Sequence, residues 1–232
     1  MLIAGFQKMT LLDYPGKLAA LIFTQGCNMA CGYCHNPDMI PMNRLEVIDP
    51  ELDPERILDF LSRRKGMLDG VVISGGEATL QKDLRSYINK IKAMGFLVKL
   101  DTNGSNPGVL KEMFARGLLD YVAMDIKFSP SGYRKYCPLI SEDHILDSIN
   151  QIRRSGIEYE FRSTVLPFYH NQEEIRAMGK MIQGAQRWYL QNFRSLKTLS
   201  KRLGKERSFS SEELKKLQQI ASAYAKGVEI RI

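Results

Sequence analysis

The chain has 232 residues, of which 44% are apolar and 25% are charged, and its 33 Lys plus Arg against 26 Asp plus Glu give a formal net charge of +7. This size and composition suit one folded domain and exclude a disordered, collagen-like or coiled-coil chain. The longest apolar run, residues 18–24, is far shorter than the roughly 20 residues of a membrane helix, so no membrane-spanning segment is expected.

Short apolar runs alternate along the chain with longer amphipathic segments. The short runs predict six strands, at residues 18–24, 70–74, 96–100, 121–126, 157–165 and 188–193. Start and stop residues between the runs predict helices over 53–66, 81–95, 106–117 and 141–156, a helix that begins at Asn171, and a last helix that begins at Ser210 and ends near Gly227. Because a Glu follows Asn171 and Ser210 three residues later, both helices are predicted to begin with a capping box.

Buried strands joined by helical crossovers predict a parallel sheet and the α/β class. Six strand and helix units are fewer than the eight of a full barrel, which leaves a doubly wound sheet or an incomplete, open (β/α)6 barrel. We expect a single domain over 1–232, with a core at about 18–193 and then a basic segment and a C-terminal helix over 194–232. In both folds, ligand-binding residues lie at the carboxyl ends of strands.

Three of the four cysteines, Cys27, Cys31 and Cys34, directly follow the first predicted strand. Their spacing allows haem attachment, a thioredoxin-like pair, a zinc site with His35 as fourth ligand, or an iron–sulfur cluster on three thiolates. Haem attachment requires export, whereas the N-terminus carries no secretory signal and predicts a cytoplasmic protein. A redox pair would leave Cys27 without a role. Cys137 is interpreted as a small core residue.

The spacing Cys27-x3-Cys31-x2-Cys34, with Tyr33 before the last cysteine, resembles the signature of the radical S-adenosylmethionine (SAM) enzymes. The resemblance implies that these cysteines hold one 4Fe–4S cluster whose fourth iron is open to the amino and carboxylate groups of SAM. It also implies that an electron from the cluster cleaves SAM into methionine and a 5′-deoxyadenosyl radical. The open barrel is the fold of that family, and Tyr33 is counted among its cofactor-binding positions.

A second motif, Gly75-Gly76-Glu77, ends the second predicted strand. It resembles the Gly-Gly-Glu element of the same family, whose backbone binds the amino group of SAM. Glycine suits this role because it lets the backbone approach a ligand closely. Ala78 stands where the family often has Pro.

Carboxylates lie in two later strands, Asp101 in the third and Asp125 in the fourth. Such groups need a cation or directed donors. One interpretation is structural, with Asp101 capping a helix and Asp125 paired with Lys127 or an arginine. The other rests on the activating enzymes of glycyl-radical proteins, in which the corresponding D-T-N-G and D-x-K elements lie beside SAM, in some members around a monovalent cation. That resemblance implies cofactor-binding roles for Asp101, Thr102 and Asp125.

Two residues of the fifth strand and the loop after it complete the expected cofactor site. Arg162 suits a carboxylate because its guanidinium forms a bidentate fork. His170 matches a region that contacts SAM in related activators, although a lone His after a strand is most often a loop or cap residue. No side-chain acid or base is expected to act beyond the cluster and SAM.

The N-terminal segment indicates which group of radical SAM enzymes the chain resembles. Asp13-Tyr-Pro-Gly16, followed by Phe-Thr-Gln-Gly-Cys27 and by His-Asn-Pro37, is similar to the anaerobic ribonucleoside-triphosphate reductase activating proteins. The resemblance covers most of the chain outside 194–209. It implies hydrogen abstraction from a backbone glycine of a glycyl-radical enzyme, namely anaerobic ribonucleoside-triphosphate reductase. It also implies an electron donor such as a flavodoxin or ferredoxin, and contact of Asp13 with the glycine loop of the partner.

Positive charge is concentrated between residues 187 and 207, where seven basic residues face one acid, Glu206. The segment is either a solvated loop or a docking surface for an acidic partner or a nucleotide. Nucleic-acid binding is not favoured, because no recognition motif or regular interleaving of aromatics accompanies the charge. Two other functions stay open: a radical SAM enzyme with a small-molecule substrate, as in the 7-carboxy-7-deazaguanine synthases, and an adaptor with structural zinc.

Overall fold

The structure, a computed structural model, describes residues 1–41 and 49–232. Strands and helices alternate along most of this part of the chain. The strands are β1 Ile3–Thr10, β2 Ala19–Thr24, β3 Gly70–Gly75, β4 Leu97–Thr102, β5 Tyr121–Asp125, β6 Glu158–Val165, β7 Ala185–Asn192 and β8 Ala225–Arg231. The α-helices are α1 Pro54–Ser62, α2 Leu84–Ala93, α3 Pro107–Ala115, α4 Pro130–Tyr136, α5 Glu142–Arg154, α6 Gln172–Met181 and α7 Ser211–Ala221.

The strands follow chain order in one open sheet, with β1 and β8 at its edges. β1 pairs antiparallel with β2. The pairs β2–β3, β3–β4, β6–β7 and β7–β8 are parallel. The prediction of an α/β fold with an unclosed parallel sheet is therefore confirmed.

The six predicted strands correspond to β2 through β7, and the two edge strands were missed. β1 was missed because its residues alternate poorly, with no fully buried position before Thr10. The prediction that the last helix ends near Gly227 is wrong, since α7 ends at Ala221 and Gly227 lies in β8 opposite Arg187. β8 also lacks fully buried positions after its first residue, so its sequence carries little strand signal.

One of the two predicted capping boxes forms. At α7 the Ser210 side chain accepts from the Glu213 N–H while the Glu213 carboxylate accepts from the Ser210 N–H. At α6 the Asn171 side chain accepts from the Glu174 N–H, but the Glu174 carboxylate accepts from the backbone N–H and the hydroxyl of Ser129, at 2.6 and 2.8 Å. The prediction of a capping box at α6 is therefore wrong, because the Glu174 carboxylate binds Ser129, the residue before α4, instead.

The described residues form two compact units, each with its own core. The first comprises Met1–Asn28, Asp38–Thr102 and Gly108–Val122, and the second comprises Met29–Pro37, Asn103–Pro107 and Ala123–Ile232. Ile22, Ile57 and Ile73 are fully buried in the first unit. In the second, buried Trp188 donates from its indole nitrogen to the Ser163 hydroxyl at 2.9 Å. The expectation of a single domain over 1–232 stays a prediction.

A membrane-spanning segment was not expected from the sequence. Within residues 1–41 and 49–232, no helix combines the length and the apolar character that a membrane crossing requires.

Candidate functional site

The three clustered cysteines lie just after β2. The Cys27 N–H donates to the Ile40 carbonyl at 3.0 Å, within the first unit. Cys31 and Cys34 belong to the second unit, where the Cys34 N–H donates to the Cys31 carbonyl at 2.9 Å and closes a tight turn. The turn consists of Cys31, Gly32, Tyr33 and Cys34, so both thiols lie on one short loop.

The surroundings of Cys31 and Cys34 raise the pKa of both thiols. A hydrogen bond with Cys137 and then burial raise the pKa of Cys31, while the Lys127 ammonium lowers it in part. Burial raises the pKa of Cys34. A thiol binds metal as the thiolate, so loading a metal here must release protons. Cys137 is buried, as its interpretation as a core residue requires, but its contact with Cys31 was not predicted.

The donor set fits an iron–sulfur cluster in its chemistry. Three thiols lie within eight residues, and the hydroxyl of Tyr33, between two of them, is buried without a hydrogen-bond partner. A buried polar atom of this kind is costly unless something else occupies its surroundings. No group of three or more His, Cys, Asp or Glu side chains stands assembled to hold a metal in the part of the chain that the structure describes.

The glycine motif after β3 is shaped by close backbone contacts. Gly75 has φ +121°, and a Cβ there would lie 2.2 Å from the Thr24 nitrogen. A Cβ on Gly76 would lie 2.1 Å from the Gly26 carbonyl oxygen. The N–H groups of Gly76 and Glu77 donate to the carbonyls of Thr24 and Gly26, at 3.0 and 2.7 Å. The two glycines are therefore required by the path of the backbone itself, at the carboxyl end of β3.

The third residue of that motif, Glu77, is a buried carboxylate with 1% of its surface exposed. One of its oxygens accepts from the hydroxyls of Thr79 and Thr102, at 2.5 and 2.7 Å, and from the Thr79 N–H. Because β2, β3 and β4 are parallel, their carboxyl ends lie at one edge of the sheet. Glu77 therefore joins the ends of β3 and β4, and Thr102 is part of this network.

Asp101 lies one residue before the end of β4 and is paired with a buried cation. Its carboxylate accepts a hydrogen bond from the Lys99 ammonium and another from the Ser74 hydroxyl at 3.1 Å. Lys99 is 1% exposed, and its ammonium lies 5.9 Å from the ring centre of Tyr121. The structural alternative for Asp101 was a helix cap, whereas the observed partner is Lys99, which the sequence analysis did not single out.

Asp125 ends β5 and carries two cations on its carboxylate. The Arg162 Nε lies 3.0 Å from one oxygen and the Lys127 ammonium 3.3 Å from the other. Burial is the largest single influence on the pKa of Lys127 and lowers it, but attraction to Asp125, to Cys31 and to the two tyrosines Tyr33 and Tyr133 together raises the pKa overall. The sequence offered Lys127 or an arginine as the partner of Asp125, and the structure has both. Asp125, Lys127 and Arg162 form a part-buried charged cluster at the end of β5 and within the neighbouring part of β6.

His170, in the loop after β6, is fully buried. The Leu166 N–H donates to its Nδ1 at 3.3 Å, so the proton resides on Nε2, which lies 3.0 Å from the Lys127 carbonyl oxygen. Its ring stacks on Phe128 with 5.8 Å between ring centres. This geometry favours a residue that positions the loops after β5 and β6 over one that contacts a ligand directly.

Asp13 lies in the loop between β1 and β2. Its carboxylate accepts from the Thr10 hydroxyl at 2.5 Å, and that hydroxyl accepts from the Leu12 N–H at 3.1 Å. The neighbouring side chains of Leu11 and Leu12 are 72% and 92% exposed. The loop therefore presents a fixed carboxylate beside apolar side chains.

The chain is similar in sequence to one family model and to several known proteins. A sequence model described as the radical SAM superfamily matches residues 21–182. The chain is 34% identical, over 99% of its length and 95% of the relative, to a protein of Methanocaldococcus jannaschii named for the activation of glycyl-radical enzymes. It is 30% identical to the pyruvate formate-lyase-activating enzyme of Clostridium pasteurianum, over 78% of this chain and 76% of that one.

A solved structure shares the fold at low sequence identity. QueE from Escherichia coli aligns with a TM-score of 0.60 and 14% identity, over 99% of this chain and 92% of that one. At this identity the likeness concerns the fold alone. It agrees with an open α/β sheet whose strand ends carry the motif residues.

Proposed function

The chain belongs to the radical SAM superfamily, and from this we propose that it activates a partner enzyme by abstracting hydrogen from one backbone glycine, which leaves a glycyl radical. The observation that carries the proposal is the Cys27-x3-Cys31-x2-Cys34 loop directly after β2. Support for the activating role comes from relatives named for glycyl-radical enzymes that align over most of this chain.

In this proposal Cys27, Cys31 and Cys34 hold a 4Fe–4S cluster that leaves one iron for SAM. The bound cluster supplies the electron that cleaves SAM reductively. The chain has to release the thiol protons of this loop, keep water away from it, and present the Tyr33 hydroxyl to the cofactor. The buried, unpartnered state of that hydroxyl supports a role for Tyr33 beside the cofactor.

The remaining expected cofactor-binding residues would orient SAM. Gly75 and Gly76 would offer backbone atoms at the end of β3, and Asp125 with Arg162 would offer opposite charges suited to an amino acid. We expect Glu77, Asp101 and Thr102 to act at the ends of β3 and β4, and His170 to hold the loops after β5 and β6 in place. A monovalent cation near the aspartates, as in some related activators, remains part of the proposal. No side-chain acid or base is needed, because positioning and exclusion of water govern the reaction.

The proposed partner is a glycyl-radical enzyme, and we favour anaerobic ribonucleoside-triphosphate reductase. The segment that ends in Asp13-Tyr-Pro-Gly16 supports this choice, with Asp13 presented to the glycine loop of the partner. A cytoplasmic flavodoxin or ferredoxin would deliver the electron.

The test is radical formation on a purified partner under anaerobic conditions. The chain, reconstituted with iron, sulfide and SAM, is mixed with candidate glycyl-radical enzymes, and the glycyl radical is counted by electron paramagnetic resonance (EPR). The Cys31→Ala variant is expected to give no radical, and Cys137→Ala serves as the matched control because it removes a thiol outside the motif. Equal radical yield from Cys31→Ala and wild type, or no radical on any such partner, would contradict the proposal.

A further inference from the structure

A basic segment of the second unit lies on the loop that bears Cys31 and Cys34, here called the cysteine loop. This basic strap, residues 194–207, carries six basic residues and one acid. All six basic side chains are exposed: Arg194, Lys197, Lys201, Arg202, Lys205 and Arg207. The function proposed above leaves this charge without a role.

The strap is hydrogen-bonded directly to the loop that bears Cys31 and Cys34. The Leu199 N–H donates to the Cys34 carbonyl at 3.2 Å, and the Ser200 N–H donates to the Gly32 carbonyl at 2.8 Å. Leu203 is buried against Gly32, where an added Cβ would lie 2.8 Å from a Leu203 methyl carbon. The strap therefore lies on the backbone of the proposed cluster-binding loop.

Further contacts fix the strap, and Phe193 directly before it, on the residue after Cys34. The His35 ring stacks on Phe193, with 5.4 Å between ring centres and 17° between ring planes. The His35 Nδ1 lies 3.4 Å from the Lys197 carbonyl oxygen. Within the strap, the Thr198 hydroxyl donates to the Ser200 carbonyl at 2.8 Å. The strap is thus a folded element, and its backbone holds a defined position relative to the cysteine loop.

Part of the charge is already used within the chain. Arg207 pairs with Glu213 at 2.7 Å, and the Arg202 guanidinium lies 5.0 Å from the ring centre of Phe168. In contrast, Lys201 and Lys205 take part in none of the ion pairs formed by residues 1–41 and 49–232. Two exposed ammonium groups therefore remain available to a partner.

From these contacts we infer that the basic strap is the docking surface for an acidic one-electron carrier protein. The inference rests on the proposed function, because it requires the cysteine loop to hold an iron–sulfur cluster. One electron leaves the reduced carrier and is gained by that cluster, and no bond is made or broken. The strap suits this exchange because it carries net positive charge on an element that is hydrogen-bonded to the loop of Cys31 and Cys34.

Charge complementarity favours an acidic carrier protein as the partner of the strap. Opposite charges on two proteins raise the rate of encounter and fix the docking orientation, with a strong dependence on ionic strength. Electron-transfer complexes are weak and small, so a strap of fourteen residues with few large apolar side chains offers an adequate surface. Leu196 and Leu199 are its exposed apolar residues, at 62% and 42%.

The experiment compares wild type with two variants that carry the same change in net charge. The variants are Lys201→Glu with Lys205→Glu on the strap, and a control with Lys111→Glu and Lys180→Glu, two exposed lysines on α3 and α6. Binding of a purified acidic flavodoxin is measured by calorimetry at low and high salt, on protein with and without a reconstituted cluster. Cluster reduction is then followed with the reduced flavodoxin and, separately, with dithionite.

We expect the strap variant to bind the flavodoxin about tenfold more weakly at low salt and the control to bind within about twofold of wild type. Reduction by flavodoxin should slow in the strap variant alone, while reduction by dithionite stays equal in all three proteins. Equal flavodoxin binding by the strap variant and the control would overturn the inference, whether or not the chain takes up a cluster. Failure of the chain to bind iron and sulfide at all would count against the proposed function instead, since the binding comparison needs no cluster.

Discussion

The Nε2 of His170 lies 3.0 Å from the backbone oxygen of Lys127, which joins the loop after β6 to the loop after β5. Lys127 in turn contacts Asp125 through its side chain. A buried histidine thus holds the backbone of Lys127, which belongs to the charged cluster of Asp125, Lys127 and Arg162. Because both ring nitrogens are occupied by backbone groups, His170 acts on the site through the loops that it holds.

His170→Ala should lower the free energy of unfolding by about 2–4 kcal/mol, because it opens a cavity and leaves the Leu166 N–H and the Lys127 carbonyl without a partner. Urea denaturation measures the loss. His170→Gln, which retains a donor and an acceptor, should recover part of it. An alanine variant as stable as wild type would contradict the supporting role.

The same residue predicts a pH dependence of stability. Burial lowers the pKa of His170 below its ordinary value of about 6.5, although the nearby Lys127 carbonyl and Glu174 oppose the shift. As pH falls below about 6.5, the unfolded chain takes up a proton that the folded chain excludes, so stability declines by at most about 1.4 kcal/mol per pH unit until the folded-state pKa is reached. Denaturation between pH 8 and pH 5 should therefore give a shallower decline for His170→Gln than for wild type, and parallel curves would refute this account.

Gly76→Ala should be strongly destabilising, by about 3 kcal/mol or more, because the new methyl group would collide with the Gly26 carbonyl. Gly108→Ala is the matched control, since a Cβ at Gly108 in α3 meets nothing within 4 Å and alanine favours a helix by about 0.5–1 kcal/mol. Thermal unfolding of both variants checks the contrast. A stable Gly76→Ala protein would show that the backbone there has room to move.

Lys99→Met should cost about 3 kcal/mol of unfolding free energy, because it leaves the Asp101 carboxylate in a largely buried position without its cation. Asp101→Asn added to Lys99→Met should restore part of that stability, since an amide needs no counter-charge. Lys216→Met, which breaks the exposed pair with Glu212, should leave stability unchanged. Additive losses from the two changes at Lys99 and Asp101 would show that the pair is not coupled.

The central strands and most helices could be predicted because a buried strand and a capped helix each have a recognisable pattern in the local sequence. β2 reads Ala-Ala-Leu-Ile-Phe-Thr and is buried at all but one position, and the Asp53 cap before Pro54 is present. The edge strands β1 and β8 could not be predicted in this way, since a strand with one exposed edge and few buried positions lacks that pattern. The helix α4, of seven residues, is too short for a clear period.

The site followed a similar division. The cysteines were singled out from their spacing and the glycines from a family resemblance, and both stay predictions, whereas the structural partners of Asp125 were anticipated correctly. Lys99 was missed, although residues two apart on a strand share a face and a lysine beside Asp101 could have been noticed by that rule. The contacts of Cys137 and His170 arise between residues far apart in the chain, which no local pattern reveals.

Spectroscopy of the reconstituted cluster tests the central claim most directly. Oxygen-free protein loaded with iron and sulfide is reduced, and its EPR spectrum is recorded before and after addition of SAM, for wild type and for Cys137→Ala. We predict about four iron and four sulfide per chain and a spectrum that changes on addition of SAM in both proteins, because three thiolates leave one iron open. Stoichiometric zinc in place of iron, or a cluster whose spectrum ignores SAM until Cys137 is removed, would contradict the account.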